Sequence, residues 1–276
     1  MKRPRPEETE EKERRTYVLL CVAGLERSAV QSLQSFLAAQ GFQDAEVELL
    51  TDPTAVVRGH AAIGKVLVQT EAPFRVLSQC KVFTCVMAFV CHTEATEAAG
   101  DVEQSLDDGM RFISSAVSEV TDRVWEDALE TWTQAREAPA PASAAAPPHG
   151  LHADRPFRFR TSCIRDGAHV YKSVHVSKEL GTVVGQRFPR WSVDLVGYDI
   201  EVVGFMLGGL LTLALTLDPS QHFRAHRPCS EDRAPLVSIE RRSTLRPSTA
   251  HILLSLLPPD QKSAVVLDPT VGFRHA

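Results

Sequence analysis

Arginine and lysine crowd one stretch of an otherwise acidic chain. Between residues 155 and 190 stand Arg155, Arg158, Arg160, Arg165, Lys172, Lys178, Arg187 and Arg190, against only Asp166 and Glu179. Fixed cations at that density suit a phosphate backbone, because neutralising phosphates releases their condensed counterions. A solvated protein face can have the same composition, so the stretch marks a place rather than a reaction. A second candidate closes the sequence: the apolar run Ala264-Val265-Val266-Leu267 turns at Asp268-Pro269-Thr270-Val271-Gly272, and a glycine there would let backbone approach a ligand. No side-chain set for catalysis stands out. Metal-ligand spacing is missing too, since Cys80 and Cys85 are too far apart for a Cys-x-x-Cys hook and the ten histidines are scattered.

Composition narrows the classes. The chain has 276 residues, 43% of them hydrophobic, with a formal net charge of −5, so nucleic acid could be attracted only by a local patch. Six cysteines mostly sit in apolar runs, the pattern of reduced core thiols. The first sixteen residues alternate charges and carry no apolar stretch of the signal-peptide kind. Residues 202–217 form an uncharged, strongly apolar run, and it falls short of the roughly 20 residues a spanning helix needs. The expectation is a soluble protein with no membrane association, cytoplasmic or, given Lys2-Arg3-Pro4-Arg5, nuclear.

The basic stretch needs elements to position it. Phe157, Phe159, Thr161 and Cys163 alternate with Arg158, Arg160 and Ser162, the period of a strand with one buried face, which points both arginines outward. Val176, Leu180, Val183, Val184 and Phe188 make a helical face. A short extended piece follows at 191–195, then two β-prone runs joined by Gly208-Gly209, a two-residue hairpin signal. Upstream, a strand from Tyr17, a helix closing at Gly41, strands at 46–50 and 65–69, and a helix then a strand within 74–90 give a β-α-β-β-α-β succession. Residues 94–137 hold twelve acids against three basic residues; Leu106, Met110, Ile113, Val117, Val120 and Val124 form one narrow helical stripe along it. Residues 138–150 are rich in Pro and Ala and read as a linker.

Phe157-Arg-Phe-Arg-Thr-Ser-Cys163, Phe188-Pro-Arg-Trp-Ser-Val-Asp-Leu195 and Tyr198-Asp-Ile-Glu-Val202 together resemble the THUMP domain of eukaryotic tRNA guanine-N2 methyltransferases. "Val-Ala-Gly-Leu-Glu" at 22–26 and "Ile-Gly-Lys-Val-Leu-Val" at 63–68 resemble the ferredoxin-like domain that precedes THUMP in that family. Residues 243–257 resemble the helix leading into its methyltransferase domain, with Pro247 inserted between the arginine and the Ser-Thr pair. The Asp268-Pro269-x-x-Gly272 turn resembles the start of its S-adenosylmethionine loop, with Thr270 and Val271 in place of the usual Met-Cys.

The resemblance implies an α+β chain. Its expected parts are a tail at 1–16, a ferredoxin-like domain with the acidic helix at 17–136, a linker at 137–155 and a THUMP α/β domain at 156–220. A connector at 221–242 and the start of a Rossmann-like methyltransferase domain at 243–276 complete it. It implies tRNA or another small structured RNA as partner, gripped at the acceptor end by Arg158, Arg160, Lys172, Lys178, Arg187 and Arg190 through phosphates. S-adenosylmethionine is the family's cofactor, and Asp268, Pro269 and Gly272 form only the incomplete beginning of its site. This chain is therefore expected to bind no cofactor, to carry no catalytic residue, to be inactive alone and not to engage the family's small activator subunit. Two readings without chemistry stand beside it: a stand-alone RNA-binding or protein-interaction member, and an acidic α+β scaffold using an edge strand.

Overall fold

The computed structural model describes residues 14–51, 62–94, 106–136, 156–166 and 169–217. Residues 1–13 of the expected tail, the 137–155 linker, the connector, the helix at 243–257 and the Asp268-Pro269-x-x-Gly272 turn lie outside them, whereas Arg15 and Thr16, expected to close the tail, already belong to the first strand. Eight strands and five helices follow in order: β1 (Arg15–Leu20), α1 (Glu26–Ala39), β2 (Glu46–Thr51), β3 (Ala62–Thr70), the single turn α2 (Phe74–Leu77) and β4 (Cys85–Glu94). Then come α3 (Leu106–Glu119), α4 (Asp122–Arg136), β5 (Arg158–Asp166), α5 (Ser173–Arg187), β6 (Ser192–Val193), β7 (Ile200–Leu207) and β8 (Leu210–Thr216). The fold is α+β, on one mixed sheet of order β2-β3-β1-β4-β8-β7-β5-β6. No described helix is long and apolar enough to cross a membrane.

The sheet is continuous through both halves. β1 to β4 pair only antiparallel, β4 pairs antiparallel with β8 from Met87↔Thr216 to Glu94↔Leu210, and β5 runs parallel to both β6 and β7. The hairpin of β7 and β8 turns at Gly208, whose φ of 53° is open to glycine and strained for a β-branched residue.

All five helices bury residues on one face of this sheet. Ala29, Leu33 and Leu37 of α1, Ile113 and Val117 of α3, Trp125, Leu129 and Trp132 of α4, and Val176, Leu180 and Val184 of α5 join Tyr17, Leu19, Val66, Phe159, Val202 and Leu213 in the main core. Each such leucine withdrawn from water contributes roughly 1.5–3 kcal/mol. The opposite face holds a second core built from strands alone: Val18, Leu50, Cys85, Met87, Val203, Phe205 and Ala214. Coiling of the sheet explains how those strands bury one another. Lys65 Nζ on β3 lies 3.9 Å from Asp166 Oδ2 at the end of β5 and 5.0 Å from the Phe205 ring centre. Five strand spacings separate β3 from β5, roughly 24 Å in a flat sheet, so the two flanks must curl toward each other. For the same reason every residue of β8 is buried, although its Leu/Thr alternation suggests one wet face.

Two sequence expectations change. The 106–124 stripe is two helices, not one: the turn at Val120 and Thr121 is bracketed by Arg187, whose Nη2 donates to Val120 O at 3.0 Å and to Asp122 Oδ1 at 2.6 Å. The first of the two, α3, packs on α5 of the later half, while α4 lies across β4 and β8 and so spans both halves. Tyr171 covers Gly109, where an added Cβ would lie 2.3 Å from its ring, and Ser114 Oγ hydrogen-bonds Glu179 on α5. In the first half, the Glu26 carboxylate, 4% exposed, accepts from Gly24 N–H at 3.0 Å and Gly64 N–H at 2.7 Å. It ties the turn before α1 to β3, which accounts for the two short motifs at 22–26 and 63–68.

Candidate nucleic-acid interface

β5 and α5 carry the cations that the sequence singles out, and the structure divides them into two ends and two kinds. Because β5 and α5 run in opposite directions, the start of β5 and the end of α5 share one end of the sheet. The backbone fixes this: Trp191 N–H donates to Phe188 O, Ser192 N–H to Phe157 O and Asp194 N–H to Phe159 O, all at 2.9 Å. Arg158, Arg160, Arg187 and Arg190 therefore gather at that end. Lys172 precedes α5 at the other end, about 22 Å away along fifteen helical residues, and Lys178 lies between, exposed on the helix.

The expectation that Arg158 and Arg160 point outward alike is corrected. Both project to the concave side of the coiled sheet, where carboxylates on β7 and its approach wait. Arg160, with an 18% exposed side chain, donates through Nε at 2.9 Å and Nη2 at 2.7 Å to Glu201 Oε1, itself 2% exposed. Ser162 Oγ adds a third donor at 2.6 Å, and the guanidinium lies 4.3 Å over the Tyr198 ring. A cation so paired and stacked builds the sheet; it has little left to offer a phosphate.

Arg158 is half exposed, yet its guanidinium contacts Asp199 Oδ1 at 3.4 Å and Asp194 Oδ2 at 3.7 Å, and its backbone N–H donates to Asp199 Oδ2 at 2.9 Å. The side-chain hydrogen bond and charge of Asp199 push the Arg158 guanidinium pKa up. Burial works against the ionised form of Asp199, but the hydrogen bonds from Arg158 and the charges of Arg158 and Arg136 hold its carboxyl below the usual range. Asp194 is held low chiefly by the backbone N–H groups of Gly197 and Val196. Arg187 is spent on the α3–α4 turn. Lys172, Lys178 and Arg190, like Arg158, stand exposed.

Beneath this end lies an aromatic cluster. Phe188 stacks on Trp191 with centroids 4.2 Å apart, and Trp191 meets Phe157 and Phe159 at 5.6 and 5.7 Å. Phe157 continues to Trp132 at 5.4 Å, and Arg136 caps that indole at 4.4 Å. Sequence reasoning passed over Arg136 and Tyr198. Arg136 hides in an acidic segment, and only its placement over Trp132 brings its charge to Asp199 and Tyr198.

Nothing among the described residues could hold a metal through three His, Cys, Asp or Glu side chains. A shallow cleft of about 410 Å³ between α3 and α5 is lined by Asp107, Met110, Arg111, Ser114 and Glu179; its two acids make it a poor phosphate seat. The thiols are inert by position: burial pushes Cys21 up to about 12 and Cys80 and Cys91 up to about 11.

No family model matches this sequence, and no curated protein does. Among solved structures, TrmN from Thermus thermophilus aligns over 88% of this chain and 54% of its own, at 16% identity and a TM-score of 0.50. A predicted N6-adenine-specific DNA methylase from Listeria monocytogenes aligns over 89% of this chain and 49% of its own, at 13% identity and a TM-score of 0.48. A 4-thiouridine synthetase solved with RNA and ATP aligns over 74% and 41%, at 12% identity and a TM-score of 0.35. The chain thus spans about half the length of the first two, and what it shares with TrmN at this identity is the fold.

Proposed function

We propose that this chain is the RNA-binding portion of a tRNA-modifying enzyme of the THUMP type: a ferredoxin-like unit and a THUMP unit on one sheet, gripping the acceptor end of a tRNA. Methyl transfer to a guanine N2 would be the work of a domain beyond the described residues. The observation that carries the reading is the β5-α5-β6-β7-β8 unit, with β5 parallel to β7, on a fold shared with TrmN over 88% of the chain. In this reading Lys172, Lys178 and Arg190 contact phosphates, Arg158 contributes from the rim of its carboxylate pair, and Arg160 and Arg187 position the elements. The N-terminus of α5 beside Lys172 adds backbone donors. The Asp268-Pro269-x-x-Gly272 turn, which lies outside the described residues, would begin the S-adenosylmethionine site.

The test is affinity for an intact tRNA and for the same tRNA trimmed of its single-stranded 3′ end, across a salt series. Binding that weakens steeply with salt and drops on trimming supports the clamp. Replacing Lys172, Lys178 and Arg190 by Glu should flatten the logarithmic salt slope by roughly 0.7–0.9 per lost phosphate contact. Salt-insensitive binding, or a slope unchanged in the triple variant, overturns the assignment. One observation favours a non-catalytic protein-interaction role instead: Arg158, Arg160 and Arg187 all meet carboxylates within the fold. Absence of any tRNA affinity would bring that reading forward.

A further inference from the structure

Six large apolar side chains stand exposed among the described residues, and three of them stand together where β6 runs into the loop that follows it: Val193, Leu195 and Val196, at 62%, 69% and 92%. The loop is not loose. Asp194 Oδ1 accepts from Val196 N–H at 2.9 Å and Gly197 N–H at 2.8 Å, and Asp194 and Asp199 both engage Arg158 at the base of the tip. A rigid apolar tip has already lost the entropy that docking would otherwise cost. Its base sets two carboxylates around the one guanidinium, so the apolar side chains are what the tip itself offers a partner. On the outer edge of the sheet, Ser192 and Asp194 spend their N–H groups on β5, which turns the N–H of Val193 away from the sheet.

The chain beyond β8 leaves from the same end. Val202↔Leu215 pairs the start of β7 with the end of β8, and Phe159 registers with both Ile200 and Val193. From β8 to β6 is three strand spacings, roughly 14 Å. The 34 residues between Leu217 and Ile252 could reach several times that distance. The uncharged run from 251 to 257 carries Ile252, Leu253, Leu254, Leu256 and Leu257, an apolar partner covalently joined to the same chain, so that docking would be intramolecular.

We infer that the apolar tip of Val193, Leu195 and Val196 is the seat for the leucine-rich run 251–257 of the same chain. Docking there would fix the direction in which the chain continues past the sheet. The inference is independent of RNA binding.

The test uses the full chain. Hydrogen exchange of the peptide covering 251–257 should be at least tenfold slower than for an unstructured peptide. The double variant Leu195→Ser/Val196→Ser should return it to the unstructured rate, leaving β5, β7 and β8 as protected as before. A photo-crosslinker in place of Val196 should label 251–257 within one molecule. Three results overturn the inference: exchange of 251–257 already unprotected in the parent chain, protection unchanged in the double variant, or crosslinks joining two chains with a dimer that the variant dissolves. That last outcome would make the occupant a second copy. Because the three side chains are exposed, loss of the fold is not the expected reason for any change, and the strand amides report it directly.

Discussion

Replacing Arg160 should damage the fold before it touches any ligand. Its guanidinium supplies two of the three hydrogen bonds that Glu201 receives, at 2.9 and 2.7 Å, with Ser162 at 2.6 Å the third. Glu201 is 2% exposed and Arg160 18%, so solvent screens the pair little. Arg160→Met would leave a buried carboxylate with one donor, a change that costs about 3–5 kcal/mol for pairs of this kind. With a urea m-value of about 1–3 kcal/mol/M, the unfolding midpoint should fall by 1 M or more. Arg160→Glu should be worse, since it sets two carboxylates against each other. The pair Arg160→Met/Glu201→Leu should recover most of the loss, because no charge is then left buried. Equilibrium urea unfolding of the parent, Arg160→Met, Glu201→Leu and the pair forms a double-mutant cycle. A single-variant loss under about 0.5 kcal/mol, or a double variant as unstable as Arg160→Met, would refute the reasoning and return Arg160 to the pool of available cations. The consequence for binding work is direct: an affinity lost with Arg160→Glu says nothing about RNA unless the protein is still folded.

Further outcomes follow from other sites. Gly64→Ala should cost about 1–3 kcal/mol, because φ is +69° and the new Cβ would lie 2.8 Å from Cys21 O; Glu26→Gln should cost about 1.5–3 kcal/mol through the weakened bonds to Gly24 and Gly64, both read by thermal or urea unfolding. Burial holds the Lys65 amine below its ordinary 10.5 against the pull of Asp166, Cys21 and Glu26. The folded state therefore gives up that proton first, and stability should rise with pH between the depressed folded value and 10.5. Lys65→Met should flatten that slope, most cleanly measured below pH 9.0, where thiols of the unfolded chain begin to ionise. Above 9.0 the sign reverses for Cys21, Cys80 and Cys91: the folded chain keeps protons that the unfolded chain loses, so their contribution to stability should fall with rising pH. Their reaction with a thiol reagent at neutral pH should be slow and limited by opening of the fold; fast stoichiometric labelling would contradict the burial.

Much of the framework is written locally. The Gly208-Gly209 turn, the strand before it and the α5 face at Val176, Leu180, Val183 and Val184 come from patterns a few residues long, and the structure keeps them. What local pattern cannot carry is the partner of each charge. Arg160 meets Glu201 and Arg158 meets Asp199 through a parallel register 41 residues apart, so a stretch that counts as basic along the chain is largely neutral in space. The stripe from Leu106 to Val124 reads as one helix because periodicity survives a short break; only Arg187, arriving from α5, marks the turn. Leu211, Leu213 and Leu215 alternate with Thr212, Ala214 and Thr216 as if one side met water, and coiling of the whole sheet puts both sides inside. Lys172, Lys178 and Arg190 stand exposed, and exposure of a long charged side chain is what local sequence already suggests.

The pairing of β4 with β8 makes the first and second halves one girder. Seven registered residue pairs join them, and strand pairing resists shear far better than a flexible tether between two lobes would. An RNA held by such a body cannot be squeezed between jaws; it must be met by a surface of fixed length, with adjustment left to loops. The same joint sets a manufacturing constraint. Cutting the chain between α4 and β5 would strip β8 from β4 and bare a long apolar edge, the kind of edge that recruits other strands. Expressed separately, each half should aggregate, and recovery of a monodisperse, folded first half would show that the joint is an ornament rather than a beam.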